Sequence, residues 1–110
     1  MVNEDDVQII RVGHSPDPDD AFMFHALTSG AFETPGYRFE HILLDIETLN
    51  QKALEGEYDV SAVSIHAYPE ISNQYELMNC GGSMGDGYGP MLVSKKDLKL
   101  EKACTGTIAV

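Results

Sequence analysis

Residues 7–27, VQIIRVGHSPDPDDAFMFHAL, decide how the rest of the chain is read. The run Val7–Val12 is apolar and β-branched enough for a buried strand. The run after Asp20 is rich in Ala, Phe, Met and Leu and reads as a helix ending at Gly30. Asp17 stands at the N-cap position, Pro18 suits the first helical position, and Asp19 and Asp20 fall in the first turn. A strand delivering the chain to a helix N-terminus makes a ligand-sized corner at the carboxyl edge of a sheet. His14 and Ser15 sit in that corner.

Downstream the same unit recurs. Pro35-Gly36 marks a turn, Arg38–Leu44 reads as a second strand, and Asp45 caps a helix running to Leu54, with Gly56 just past its end. Tyr58–Ile65 is expected to be a third, long strand, followed by a short helical turn over His66–Ser72. Further short strands are expected at Tyr75–Met78, Met91–Ser94 and Thr107–Val110, with Lys95–Lys102 helical or coil. Alternating strands and helices call for an α/β fold with a mainly parallel sheet. Because the last apolar run is cut short, residues 1–110 are expected to be the first, truncated lobe of a longer protein, its second lobe lying elsewhere.

The chain has 110 residues and a formal net charge of −11, from 18 acidic and 7 basic side chains. Nucleic acid and anionic lipid both need Lys and Arg, so neither is an expected partner. The acidic start MVNEDDVQ lacks the basic flank of a secretory signal, and no apolar run has the length of a membrane span. Cys80 and Cys104 share no metal-binding spacing and are expected to be buried free thiols in a reducing cytosol.

His14 with Asp19 or Asp20 has the residue types of a divalent-metal site. Acids at a helix start are better explained by the orphan N–H groups and dipole they satisfy, and no second ligand motif is present. His25, His41 and His66 are scattered over different segments and read as packed or surface residues. Residues 81–90, GGSMGDGYGP, hold five glycines. They permit close backbone approach to a ligand but lack the dinucleotide-binding spacing. What remains is a set of loops after successive strands. Ser15, Asp45 and Ser64 can line one crevice, suited to an anionic or polyhydroxylated small molecule.

Taken together, HSPDPDDAFMFHAL, LDIETLNQKALEGEYDVSAVSIHAY and GGSMGDGYGPMLVS resemble the 1,4-dihydroxy-6-naphthoate synthases of the futalosine route to menaquinone. That family carries SPCPNDTF-like, D-x-E-T-L-N, YDV-x-x-x-S-x-HAY and GS-x-G-x-G-x-GP-x-LV segments in this order. The resemblance implies a type II periplasmic-binding-protein-like fold in a cytoplasmic enzyme. It implies cleavage of cyclic dehypoxanthine futalosine to 1,4-dihydroxy-6-naphthoate and dihydroxyacetone, with no metal or organic cofactor. Substrate contacts would fall on Ala62, Val63 and Ser64, while the family's general-base histidine would lie beyond Val110. On this reading the 110-residue chain alone is inactive.

This sequence departs from the family by placing Asp17 and Asp19 where Cys and Asn are usual, and Ala62 where Lys is frequent. Both changes remove positive or add negative character beside a site meant for a carboxylate, as a divergent subgroup with another substrate would. The rival readings are the chorismate dehydratase of the same pathway and a non-catalytic solute-binding protein of the same fold.

Overall fold

The computed structural model describes residues 7–87, 89, 91–97, 99–103 and 105–107. The chain enters as strand β1 (Gln8–His14), then helix α1 (Pro18–Thr28), strand β2 (Tyr37–Leu43) and helix α2 (Ile46–Leu54). A two-residue strand β3 (Val60–Ser61) and short helices α3 (Tyr68–Ile71) and α4 (Leu100–Ala103) follow. The three strands form one parallel sheet in the order β2-β1-β3. The expected α/β class with a parallel sheet is therefore present.

Local chemistry accounts for the first half. Thr34 accepts from the Tyr37 N–H at 3.0 Å across Pro35-Gly36, and Gly36 takes φ +81°, the left-handed conformation this turn requires. The Gly36 carbonyl then accepts the first β1 amide, Gln8 N, at 2.9 Å, which sets the register of β1 against β2. At the other end of α2, Gly56 has φ +66° and its N–H reaches Ala53 O at 3.1 Å, closing the helix as the sequence indicates.

Order β2-β1-β3 means that the two helical crossovers, β1 to β2 and β2 to β3, run across the sheet in opposite directions. Both being right-handed, α1 and α2 lie on opposite faces of the sheet. Side-chain contacts agree. Phe24 of α1 stacks on His14 at 4.4 Å between ring centroids. The neighbouring Gly13 faces the other way, where a Cβ would lie 2.9 Å from Leu49 of α2 and 2.7 Å from Tyr58. The α2 layer holds most of the core, with Leu49, Ala53, Tyr58 and Ile71 all buried. The α1 layer is thinner: Val12 and His14 are buried, but no residue of α1 itself is.

Several expected strands are shorter or absent. Tyr58–Ile65 pairs with β1 only around Val60–Ser61. The ladder is prolonged by Asp59 N to Arg11 O (3.1 Å) and Ala62 N to Gly13 O (2.8 Å), but the Ser64 N–H goes to the Asn50 side chain instead of a strand. Tyr75–Met78 continues the α3 turn through Tyr75 N to Ile71 O and forms no strand. Met91–Ser94 is irregular, with Met91, Leu92 and Val93 exposed, because no strand among the described residues lies beside it. Cys80 is exposed, contrary to the buried thiol expected, since it sits in a bend at 79–80 outside the sheet. Cys104 and most of Thr107–Val110 lie outside the described residues.

Candidate functional site

Ligand crevices of parallel sheets lie outside the carboxyl ends of neighbouring strands. Here those strands are β1 and β3, so the crevice edge runs from His14-Ser15 to Ala62–Ser64. Two of the loops singled out from the sequence thus meet at one junction. Asp45 follows β2, on the far side of β1 from β3.

The β1 side is rigidly built. Ser15, buried at 8% exposure, donates its N–H to Asp20 Oδ2 at 2.7 Å, and its Oγ accepts the Asp17 N–H at 3.1 Å. Asp17 occupies the N-cap position as expected, but its side chain makes no capping bond. The two Ser15 bonds fold the Ser15–Asp17 segment onto the first turn of α1, without the reciprocal pairing of a capping box. Asp20 thus bonds the Ser15 amide ahead of the helix, and Asp17 gives the helix only its carbonyl, which accepts Ala21 N at 2.9 Å.

Beneath this corner lies a pair of imidazoles. His14 Nδ1 is 3.0 Å from the Ser15 carbonyl, and His14 Nε2 is 3.0 Å from His41 Nδ1. A carbonyl only accepts, so the proton sits on His14 Nδ1. In a neutral pair His41 Nδ1–H then donates to His14 Nε2. That leaves His41 Nε2 as a buried acceptor with no partner among the described residues. Burial, and second the adjoining His14, lower the pKa of His41. Both His14 nitrogens are engaged, so the histidine is not presented to Asp19 or Asp20 as a metal ligand. Among the described residues no three His, Cys, Asp or Glu side chains gather as a metal site would require.

On the β3 side one amide organises the loop. Asn50 Oδ1 accepts the Ser64 N–H at 3.0 Å, and Asn50 Nδ2 donates to Ser64 Oγ at 3.2 Å. The Ser64 carbonyl accepts from Ala67 N at 2.9 Å, so the backbone of Ser64 is held from both directions. Ala62, Val63 and Ser64 are each half-buried. Ser64 opens onto a small cavity of about 210 Å³ whose walls include Asn50, Gln51, His66 and Glu70. Asp45 by contrast spends both carboxylate oxygens on Thr48, accepting its N–H at 3.0 Å and its hydroxyl at 2.6 Å. The Thr48 hydroxyl and amide together hold the Asp45 carboxyl below the usual carboxylate range. Asp45 is therefore committed to the start of α2.

The Asn50–Ser64 clamp and the His14–His41 pair span 14 and 27 residues of sequence. Neither spacing has a local signature. The signal for Asn50 is that it closes the D-x-E-T-L-N segment, residues 45–50.

Over residues 10–110 the chain matches the protein family described as Menaquinone biosynthesis. It is 39% identical over 93 residues to the 1,4-dihydroxy-6-naphthoate synthase of Thermus thermophilus, covering 84% of this chain and 34% of that protein. To the enzyme of the same name from Streptomyces coelicolor it is 34% identical over 88 residues, covering 79% of this chain and 30% of that one. A crystal structure of an Archaeoglobus fulgidus protein superposes with a TM-score of 0.68 at 52% identity, over 74% of this chain and 30% of that one. The chain thus spans about a third of the length of the curated relatives it matches.

Proposed function

Since the chain belongs to the menaquinone biosynthesis family, we propose that it is the N-terminal lobe of a cytoplasmic, two-lobe, type II periplasmic-binding-protein-like lyase. The reaction of that lyase is cleavage of cyclic dehypoxanthine futalosine to 1,4-dihydroxy-6-naphthoate and dihydroxyacetone. The observation that carries this reading is the pairing of β1 with β3, which sets Ser15 and the clamped Ala62–Ser64 loop at the carboxyl ends of neighbouring strands.

Ala62, Val63 and Ser64 contact the substrate, Asn50 fixes the Ser64 backbone and hydroxyl, and Ser15 forms the opposite lip. This chain binds and orients. The proton is taken by a histidine of the second lobe, as the family resemblance implies; His14 has both ring nitrogens engaged and the free His41 Nε2 is buried. Buried hydroxyls and amides fixed before the substrate arrives lower the cost of ordering it.

The test is direct. A longer polypeptide carrying this chain, incubated with cyclic dehypoxanthine futalosine, releases 1,4-dihydroxy-6-naphthoate, and Ser64→Ala in that polypeptide raises KM. The 110-residue chain alone gives no product. Turnover by this chain alone, lost on substituting His14 or His66, overturns the assignment of the base to the second lobe. A longer polypeptide that folds and leaves the substrate intact overturns the activity.

A further inference from the structure

A second cavity, about 430 Å³, lies on the outer side of α1, where the start of the glycine-rich segment crosses the first two turns of the helix. Its lining is Asp19, Phe22, Met23, Gly81, Gly82 and Ser83. The Ser83 hydroxyl donates to Asp19 Oδ2 at 2.7 Å, tying loop to helix across 64 residues of sequence. This bond leads the causes that hold the Asp19 carboxyl below its ordinary range, so at neutral pH the group is a carboxylate. Beside that bond the Asp19 backbone N–H also favours the carboxylate, and no basic side chain among the described residues lines the cavity.

The wall beside this carboxylate is apolar. Phe22 is 87% exposed, an unusual cost for a phenylalanine with nothing over it. Met23 is half-buried, with its Sδ 3.2 Å from where a Cβ on Gly81 would stand, so a side chain at that position would narrow the cavity. Gly81 also has φ +86°, which disfavours any residue but glycine.

We propose that this cavity binds the ring-bearing end of a small ligand whose polar group donates hydrogen bonds to Asp19, and that it rejects a carboxylate at the same point. A carboxylate only accepts, so its partner must donate. A ring laid on Phe22 and Met23 covers the apolar wall, as aromatic and thioether surfaces favour. A ligand carboxylate would meet a like charge with no cation to offset it. The cavity and the β1 corner meet at the first turn of α1, where Asp19 lines the one and Asp20 bonds Ser15 in the other, so the inference rests on the reading of that corner as a substrate site and narrows which end of the substrate reaches α1.

The probes are 2-naphthol and 2-naphthoate, which share a ring and differ in hydroxyl against carboxylate. Each is titrated into this chain while backbone amide shifts are followed. The expected result is binding of 2-naphthol with shifts at residues 19–23 and 81–83, and 2-naphthoate weaker by about tenfold or more. Asp19→Asn shrinks that preference, and Ser83→Ala, which leaves the carboxylate in place, retains it. Equal affinity for the two probes overturns the inference, as do shifts confined to residues 46–50 and 62–64. Neither of those outcomes touches the proposed lyase activity, which turnover of cyclic dehypoxanthine futalosine decides separately.

Discussion

Replacing Asn50 with alanine removes the acceptor for the Ser64 N–H and the donor to Ser64 Oγ in one step. A buried N–H left without an acceptor costs about 1–3 kcal/mol. Both residues are only part-buried, so water recovers some of this, and the loss falls near the lower end, about 1–1.5 kcal/mol. Alanine is a better helix former than asparagine by roughly 0.5 kcal/mol, so the helical effect of the change has the opposite sign and cannot imitate the loss. The assay is amide hydrogen exchange. A local penalty of about 1.4 kcal/mol lowers the protection of the Ser64 amide about tenfold. Asn50→Asp keeps an acceptor for that amide and loses less. Exchange at Ser64 within about twofold of the parent in Asn50→Ala would refute the clamp, because a factor of two is only ~0.4 kcal/mol.

Gly13→Ala sets a Cβ against Tyr58 and Leu49 at 2.7 and 2.9 Å and is expected to lower stability by about 1–3 kcal/mol, read as a fall in denaturant midpoint. Asp45→Ala removes the cap of α2 and is expected to cost about 0.5–2 kcal/mol by the same measurement. His41, whose pKa is lowered from 6.5 in the fold, binds its proton more readily when unfolded. Its contribution is therefore complete above 6.5 and is lost as pH falls through the lower folded value. Denaturation series across that window should show stability declining with acid, and His41→Phe should flatten the slope. An unchanged slope would remove His41 as its source.

The sequence makes β1, α1, β2 and α2 legible because each carries its own stop and start. Pro18 opens α1, Pro35-Gly36 turns the chain, Asp45 caps α2 and Gly56 ends it, all through bonds spanning a few residues. The strands expected at Tyr58–Ile65, Tyr75–Met78 and Met91–Ser94 fail for a different reason. A β-forming composition states a preference, while a strand exists only where another backbone offers partners. β3 has β1 on one side alone, and Met91–Val93 has none among the described residues. Ser15 and Ser64 can be proposed from strand ends, but the pairing of Ser64 with Asn50 across 14 residues cannot. Asn50 comes to Ser64, and His41 to His14, through the crossovers, and Asp45 looks like a crevice residue until both its oxygens are found on Thr48.

Strand β1 has a consequence for how the chain finds its alignment. Its last residues address two different layers in alternation: Val12 and His14 meet α1 and β2, while Gly13 makes room for Leu49 and Tyr58. A slip of one residue would push an imidazole into the space a missing methyl group keeps open. It would also strip His41 and Phe24 of their partner on the opposite side. The misaligned state is thus penalised in both layers at once. Two adjacent residues of opposite size, glycine and histidine, act as a built-in check on strand register before any ligand is present.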